Sequence, residues 1–162
     1  MNRFWIVCLW LGFAPFCNPT LAQENRRQMI ILDPGHGGVD SGAIGINGIM
    51  EKDVVLEVAK ESIRLNTLDI YLTRYNDTLI SLGDRTKLVK ILQPDIFISI
   101  HCNQADRREA QGIEVYVQQP NSNTNSGLRF KSENLGESLL SEFDKALGFK
   151  IRGLKFANFQ VL

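Results

Sequence analysis

Three cysteines, two histidines and no block of positive charge set the first limits on this chain. Lys plus Arg number 18 against 18 Asp plus Glu, so the formal charge is zero. A nucleic-acid binder needs a concentrated positive face, and the even balance argues against that class. Cys8 and Cys17 both fall in the first 17 residues, which leaves Cys102 alone in the remainder. One cysteine cannot form an intramolecular disulfide, so stability has to come from a packed core or from a metal. No internal repeat is visible, and the one low-complexity stretch is a short Asn/Ser linker at 119–127. What is present is ordinary for a globular protein: 162 residues, 44% hydrophobic and 22% charged, enough for one domain with a real core.

The first residues differ in kind. Arg3 supplies a positive charge, Phe4 to Phe16 is almost wholly apolar, and Thr20-Leu21-Ala22 places small residues where a signal peptidase reads. That order identifies residues 1–22 as a secretory signal, in preference to a buried N-terminal helix, and implies an exported protein, periplasmic or extracellular. The apolar run is too short for a membrane span, and the mature chain is expected to carry none. Residues 23–28 read as a short linker, and 29–162 as a single domain.

Met29 to Leu32 is a short apolar run that ends in Asp33-Pro34-Gly35, the pattern of a buried strand closed by a tight turn. Six glycines in 35–48 make a loop shaped by its backbone. A helix is expected from Glu51 to about Asn66, with Val54, Val55, Val58, Ala59 and Ile63 inward. Asp69 to Thr73 reads as a strand. Ser81 to Leu92 reads as a helix with Leu82, Leu88, Val89 and Leu92 inward, ended by Pro94. Ile96 to Ile100 is apolar on both faces and is expected to be the central strand of a parallel sheet. Another strand follows at Gly112 to Gln118. A third helix spans Leu128 to Leu147 with Gly148 as its C-cap, and a strand-like segment begins at Leu154. Strands alternating with helices imply an α/β fold: a single-domain, open, mostly parallel sheet flanked by helices.

Both histidines lie at strand ends, His36 after the first strand and His101 after the apolar one. In a parallel sheet both would sit on the carboxyl edge, where open α/β folds build their sites, which suits a metal or an acid–base role. Glu51 is the natural third partner. Alone it would pass for a carboxylate that favours a helix N-terminus. Beside two imidazoles it completes a His, Glu, His set with an open coordination position, as in zinc hydrolases. Cys102 should point away from His101 along the strand and is expected to be a buried small hydrophobe.

Here the motifs meet a family. Leu32-Asp33-Pro34-Gly35-His36-Gly37-Gly38, with Asp40 and Gly42, resembles the first motif of the zinc-dependent N-acetylmuramoyl-L-alanine amidases of the bacterial cell wall. Glu51-Lys52 resembles their second motif and Ser99-Ile100-His101-Cys102-Asn103 their third. Gly112 to Tyr116 resembles the strand that follows, and Leu72-Thr73-Arg74 with Asp77 and Arg85, then Arg152-Gly153-Leu154, Ala157 to Phe159 and Val161-Leu162, extend the match over about 29–162. The resemblance implies Zn2+ held by His36, Glu51 and His101. It also implies hydrolysis of the amide between N-acetylmuramic acid and L-alanine, with peptidoglycan stem peptide and glycan as partners.

An amide is a poor electrophile, which zinc chemistry addresses, and a second carboxylate must move the proton to the departing amine. In the family that glutamate lies in a final strand beyond the segment matching Ala157 to Leu162, and no residue here matches it, nor the closing helix. The expectation is therefore a domain that lacks the family's final strand and helix, binds zinc and cleaves poorly, with no catalytic residue to name. The alternative is a zinc-containing module that binds peptidoglycan without cutting it. Asp33 and Asn103 are candidates for supporting the ligands, and Asp33 is the expected partner of a ligating histidine. Arg74 and Arg85 read either as contacts for stem-peptide carboxylates or as solvated ion-pair formers. Glu114 reads as a solvent-facing strand residue. The brief 119–127 linker leaves no room for a covering insertion, so an open site is expected.

Overall fold

The computed structural model describes residues 27–65, 68–104, 111–120 and 125–161. The expected signal at 1–22 and most of the 23–28 linker lie outside the described residues. Among the described residues, five strands and three α-helices follow in the order β1 (Met29–Pro34), α1 (Glu51–Arg64), β2 (Asp69–Leu72), α2 (Leu82–Leu92), β3 (Ile96–Ile100), β4 (Ile113–Gln118), α3 (Ser126–Leu147) and β5 (Ile151–Ala157). No helix among the described residues is long and apolar enough to cross a membrane.

Every strand pairing is parallel, as the alternation of strands and helices requires, but the strands form two groups: β2-β1-β3 and β4-β5. The central strand of the first group is β1, not Ile96–Ile100. Five of the six β1 residues are buried, whereas all of β3 is half-exposed at the edge. Both segments are apolar runs of similar length, and pattern alone does not say which one takes two neighbours. Ile30, Leu32 and Leu72 pack with Ala59 of α1, and Ile63, Ile70, Ile96, Ile98 and Ile100 close around them. Ile31 points to the opposite face, fully buried.

Helix α1 opens with Glu51 and Asp53 in its first turn and closes with Arg64, charges that complement the helix dipole. Its buried stripe is Val55, Leu56 and Ala59. Val54 and Val58, expected inward, are 38% and 48% exposed, because each lies about 100° around the helix from Val55 and Ala59. In α2 the Ser81 side chain caps the Asp84 amide. The one buried residue of this helix is Arg85, while Leu82 and Leu92, expected inward, are largely exposed. Leu88 and Val89, also expected inward, are half-buried, and the fully buried anchor of α2 is the ion pair of Arg85 with Asp33. Helix α3 begins two residues before the expected Leu128 because Asn125 caps the amides of Gly127 and Leu128, and Gly148 ends it. It covers β4 and β5 through Gly136 and Leu140.

The pairing of β1 with β3 places the site. Pro34 stands opposite Ile100, and the Gly35 amide continues the ladder to the Ile100 carbonyl at 3.0 Å. Both strands thus end at the same level, and His36 and His101 follow immediately on the carboxyl edge. The loop after β1 folds back on itself, with the Glu51 amide donating to Ala43 O and the Lys52 amide to Ser41 O, which brings the start of α1 beside the two histidines.

Candidate metal centre

Three ligand-type atoms converge where β1, β3 and α1 meet. His36 Nε2 lies 3.2 Å from Glu51 Oε1, His101 Nδ1 lies 3.1 Å from the same oxygen, and the two ring nitrogens are 3.1 Å apart. A tetrahedral ion with bonds of about 2.0–2.1 Å holds its ligand atoms about 3.3 Å apart, so this near-equilateral triangle has the size that such an ion requires. No other group of three or more His, Cys, Asp or Glu side chains among the described residues converges in this way.

Hydrogen bonds around the triangle orient its members. His36 Nδ1 is 2.9 Å from Asp40 Oδ2, and this bond, with the Gly42 amide on the other oxygen, holds the Asp40 carboxyl below its ordinary pKa. A carboxylate there accepts a hydrogen bond from Nδ1–H, the tautomer that turns the Nε2 lone pair towards Glu51 and His101. Glu51 is 5% exposed. Burial works against its ionisation, but the amides of Ala43 and Cys102 and the two imidazoles outweigh burial and keep its carboxyl below the ordinary range. A proton or a metal ion between the two ring nitrogens and the carboxylate oxygen lets them approach this closely.

Close approach sets the rings. A Cβ on Gly35 would sit 2.2 Å from His101 Cε1, and one on Gly42 would sit 2.6 Å from His36 Cδ2. Each imidazole therefore rests directly on a glycine backbone. The site opens on the His101 side, whose side chain is 36% exposed, into a cleft of about 300 Å³ lined by His36, Asp40, Leu79, Ile80, His101 and Val161.

Several residues sit elsewhere than the sequence suggested. Asp33 is buried and bonds no histidine; it accepts from Thr73 Oγ1, Ser99 Oγ and Arg85 Nη1. The histidine's partner is Asp40, four residues on in the glycine loop. Arg74 and Arg85 are each 3% exposed and so are not solvated ion-pair formers, although Arg85 lines the cleft. Asn103 contributes its amide, 3.4 Å from Glu51 Oε1. Cys102 is exposed rather than buried, and its amide serves Glu51. Glu114 is half-buried, with Lys155 above all and also Arg152 and Tyr116 as partners that hold its carboxyl low. A Lys52–Asp77 pair, with both side chains also bonded to the Gly38 backbone, clamps the glycine loop and was not foreseen. The 105–110 and 121–124 segments lie outside the described residues, so part of the linker expected to leave the site open does too.

Residues 30–162 match the family model described as N-acetylmuramoyl-L-alanine amidase. The chain is 38% identical over 169 aligned residues to N-acetylmuramoyl-L-alanine amidase LytC of Bacillus subtilis (strain 168), covering 100% of this chain and 32% of LytC. It is 40% identical over 102 residues to amidase AmiA of Escherichia coli (strain K12), covering 61% of this chain and 35% of AmiA. The chain thus spans about a third of the length of these relatives. Among solved structures it is similar to an N-acetylmuramoyl-L-alanine amidase from Clostridium difficile 630, with TM-score 0.72, 31% identity, 84% of this chain and 73% of that chain.

Proposed function

The chain belongs to the N-acetylmuramoyl-L-alanine amidase family, and on that premise we propose that residues 29–162 hold one zinc ion on His36, Glu51 and His101 and serve zinc-dependent hydrolysis of the amide joining N-acetylmuramic acid to L-alanine in peptidoglycan. The observation that carries this reading is the triangle of ligand atoms with edges of 3.1–3.2 Å. Two imidazoles and a carboxylate are borderline donors that suit zinc, and three protein ligands leave a coordination position free, as catalytic sites do. When bound, the ion supplies Lewis-acid polarisation of the amide carbonyl and activation of water. The protein's own part is to aim His36 through Asp40, to keep Glu51 ionised through backbone amides, and to leave the His101 side open to a wall peptide. A protein acting on the wall has to be exported, which agrees with reading 1–22 as a signal.

One observation favours a second reading, a zinc-containing module that binds peptidoglycan without cutting it. Amide hydrolysis needs a carboxylate free to take a proton and pass it on. Asp33, Asp40 and Glu51 are the carboxylates at the described site, and each is engaged: Asp33 by Arg85, Asp40 by His36, Glu51 by amides and both imidazoles. For a protein comprising residues 23–162, the hydrolase reading expects zinc-dependent release of soluble fragments from insoluble peptidoglycan, and the binding module expects zinc-dependent retention with little release. New L-alanine amino termini, counted after incubation with and without zinc, separate the readings. Rapid release would favour the hydrolase reading. Retention or release that ignores chelation would remove zinc from the account.

A further inference from the structure

We propose that Arg85 and Arg74 are positioning residues for the metal: two buried guanidiniums that hold the backbone beside His36 and Glu51, tie to the His101 strand through Asp33 and Ser99, and thereby set metal affinity. This rests on the metal reading above and deepens it.

His36 has φ 59°, in the left-handed region that residues with a side chain seldom occupy, so something must over-determine it. The surrounding hydrogen bonds do. Arg85 donates to Pro34 O at 3.1 Å and His36 O at 2.8 Å. Arg74 donates to Pro34 O at 3.0 Å and Gly35 O at 2.8 Å. Three successive carbonyls of the metal loop are thus turned onto two guanidiniums. The same groups reach the other ligands. Arg74 Nη2 also donates to Lys52 O at 2.8 Å, one residue past Glu51. Arg85 pairs with Asp33, whose other oxygen takes the Ser99 hydroxyl at 2.8 Å, two residues before His101.

A planar guanidinium presents several N–H groups in a fixed fork, and it keeps its charge when buried. A lysine ammonium would keep the charge facing Asp33 but could not span carbonyls one and two residues apart with the same geometry. The role is therefore in the fork, which makes Arg→Lys the informative substitution. The hydrogen bonds of both guanidiniums run to backbone carbonyls and to Asp33, so their effect on a bound ion runs through the protein framework.

The test compares the full wild-type chain with Arg85→Lys, Arg74→Lys and Leu140→Ala. Leu140 is buried beneath α3 in the β4-β5 half, away from the loop. Zinc affinity is measured by competition with a chromophoric chelator, and the visible spectrum of the Co(II) form reports coordination geometry. Both lysine variants are expected to bind zinc about 10–100-fold more weakly, as loss of groups supporting metal ligands does, with a weakened tetrahedral Co(II) band. Leu140→Ala is expected to melt earlier with zinc affinity unchanged. If Arg85→Lys does not fold, Arg74→Lys decides alone, because Arg74 makes no ion pair among the described residues. Wild-type affinity in the lysine variants would overturn the proposal. So would an equal loss in Leu140→Ala, since affinity would then merely follow stability. Absence of zinc binding by the wild type would instead sink the metal reading itself.

Discussion

Glu51→Gln is expected to abolish zinc binding at micromolar metal and to lower stability by about 1–3 kcal/mol, the cost of leaving a buried polar group unsatisfied. The reason lies in the partners of both oxygens. Oε2 accepts the Ala43 amide at 2.9 Å, and Oε1 accepts the Cys102 amide at 2.8 Å while facing both imidazoles. A carboxylate offers acceptors on both sides. A glutamine offers one, and its NH2 must face either the Ala43 amide or the Cys102 amide, setting donor against donor. With the NH2 towards Cys102 the metal loses a ligand as well. Denaturant unfolding with and without zinc measures both effects. The wild type should gain stability from zinc by linkage, and Glu51→Gln should gain none. A variant that still gains the wild-type increment would remove Glu51 from the ligand set.

Gly35→Ala is expected to weaken zinc binding by about 100-fold or more, beyond the usual effect of a supporting residue, without altering a ligand. The added Cβ would meet the His101 ring 2.2 Å from Cε1 and 2.5 Å from Nε2. Ordinary contact lies near 3.5–4.0 Å, so the ring must shift by more than an ångström, whereas metal bonds tolerate about 0.2 Å. Gly35 is not among the positive-φ residues, so the effect is steric and not a backbone penalty. Gly83→Ala is the matching control: in α2 its new Cβ would meet nothing closer than 3.8 Å, and zinc affinity should not change. Equal affinity in Gly35→Ala and the wild type would mean that His101 is not held where the structure puts it.

The site's outline could be read before the fold because two features survive in one dimension. Parallel strands end on one edge, so histidines just past two of them must approach, and a glutamate that opens the first helix lies on that edge too. What could not be read depends on contacts between distant positions. The amphipathic pattern of Ser81–Leu92 counts apolar residues and so pointed to Leu82 and Leu92. The helix is held by Arg85 because Asp33, 52 residues earlier, lies on the same face of β1 as Ile31 and beneath it. Arg74 read as a contact for ligand carboxylates or as a solvated charge for the same reason, since backbone carbonyls leave no mark on sequence as acceptors. Asp40 was visible in the glycine motif, and its spacing of four from His36 was the available signal. Its role awaited the turn that brings its carboxylate to Nδ1. The central place of β1 and the outward turn of Val54 and Val58 follow from which neighbours the strand and helix acquire, which residue type does not decide.

The most direct test of the metal centre is X-ray absorption at the zinc edge on the purified, zinc-loaded chain, with metal content measured in parallel. The account predicts one zinc per chain and a shell of nitrogen and oxygen at about 2.0–2.1 Å, with imidazole scattering from two histidines. A substoichiometric, readily dialysed metal, or a sulfur at about 2.3 Å that brings Cys102 into the shell, would contradict it.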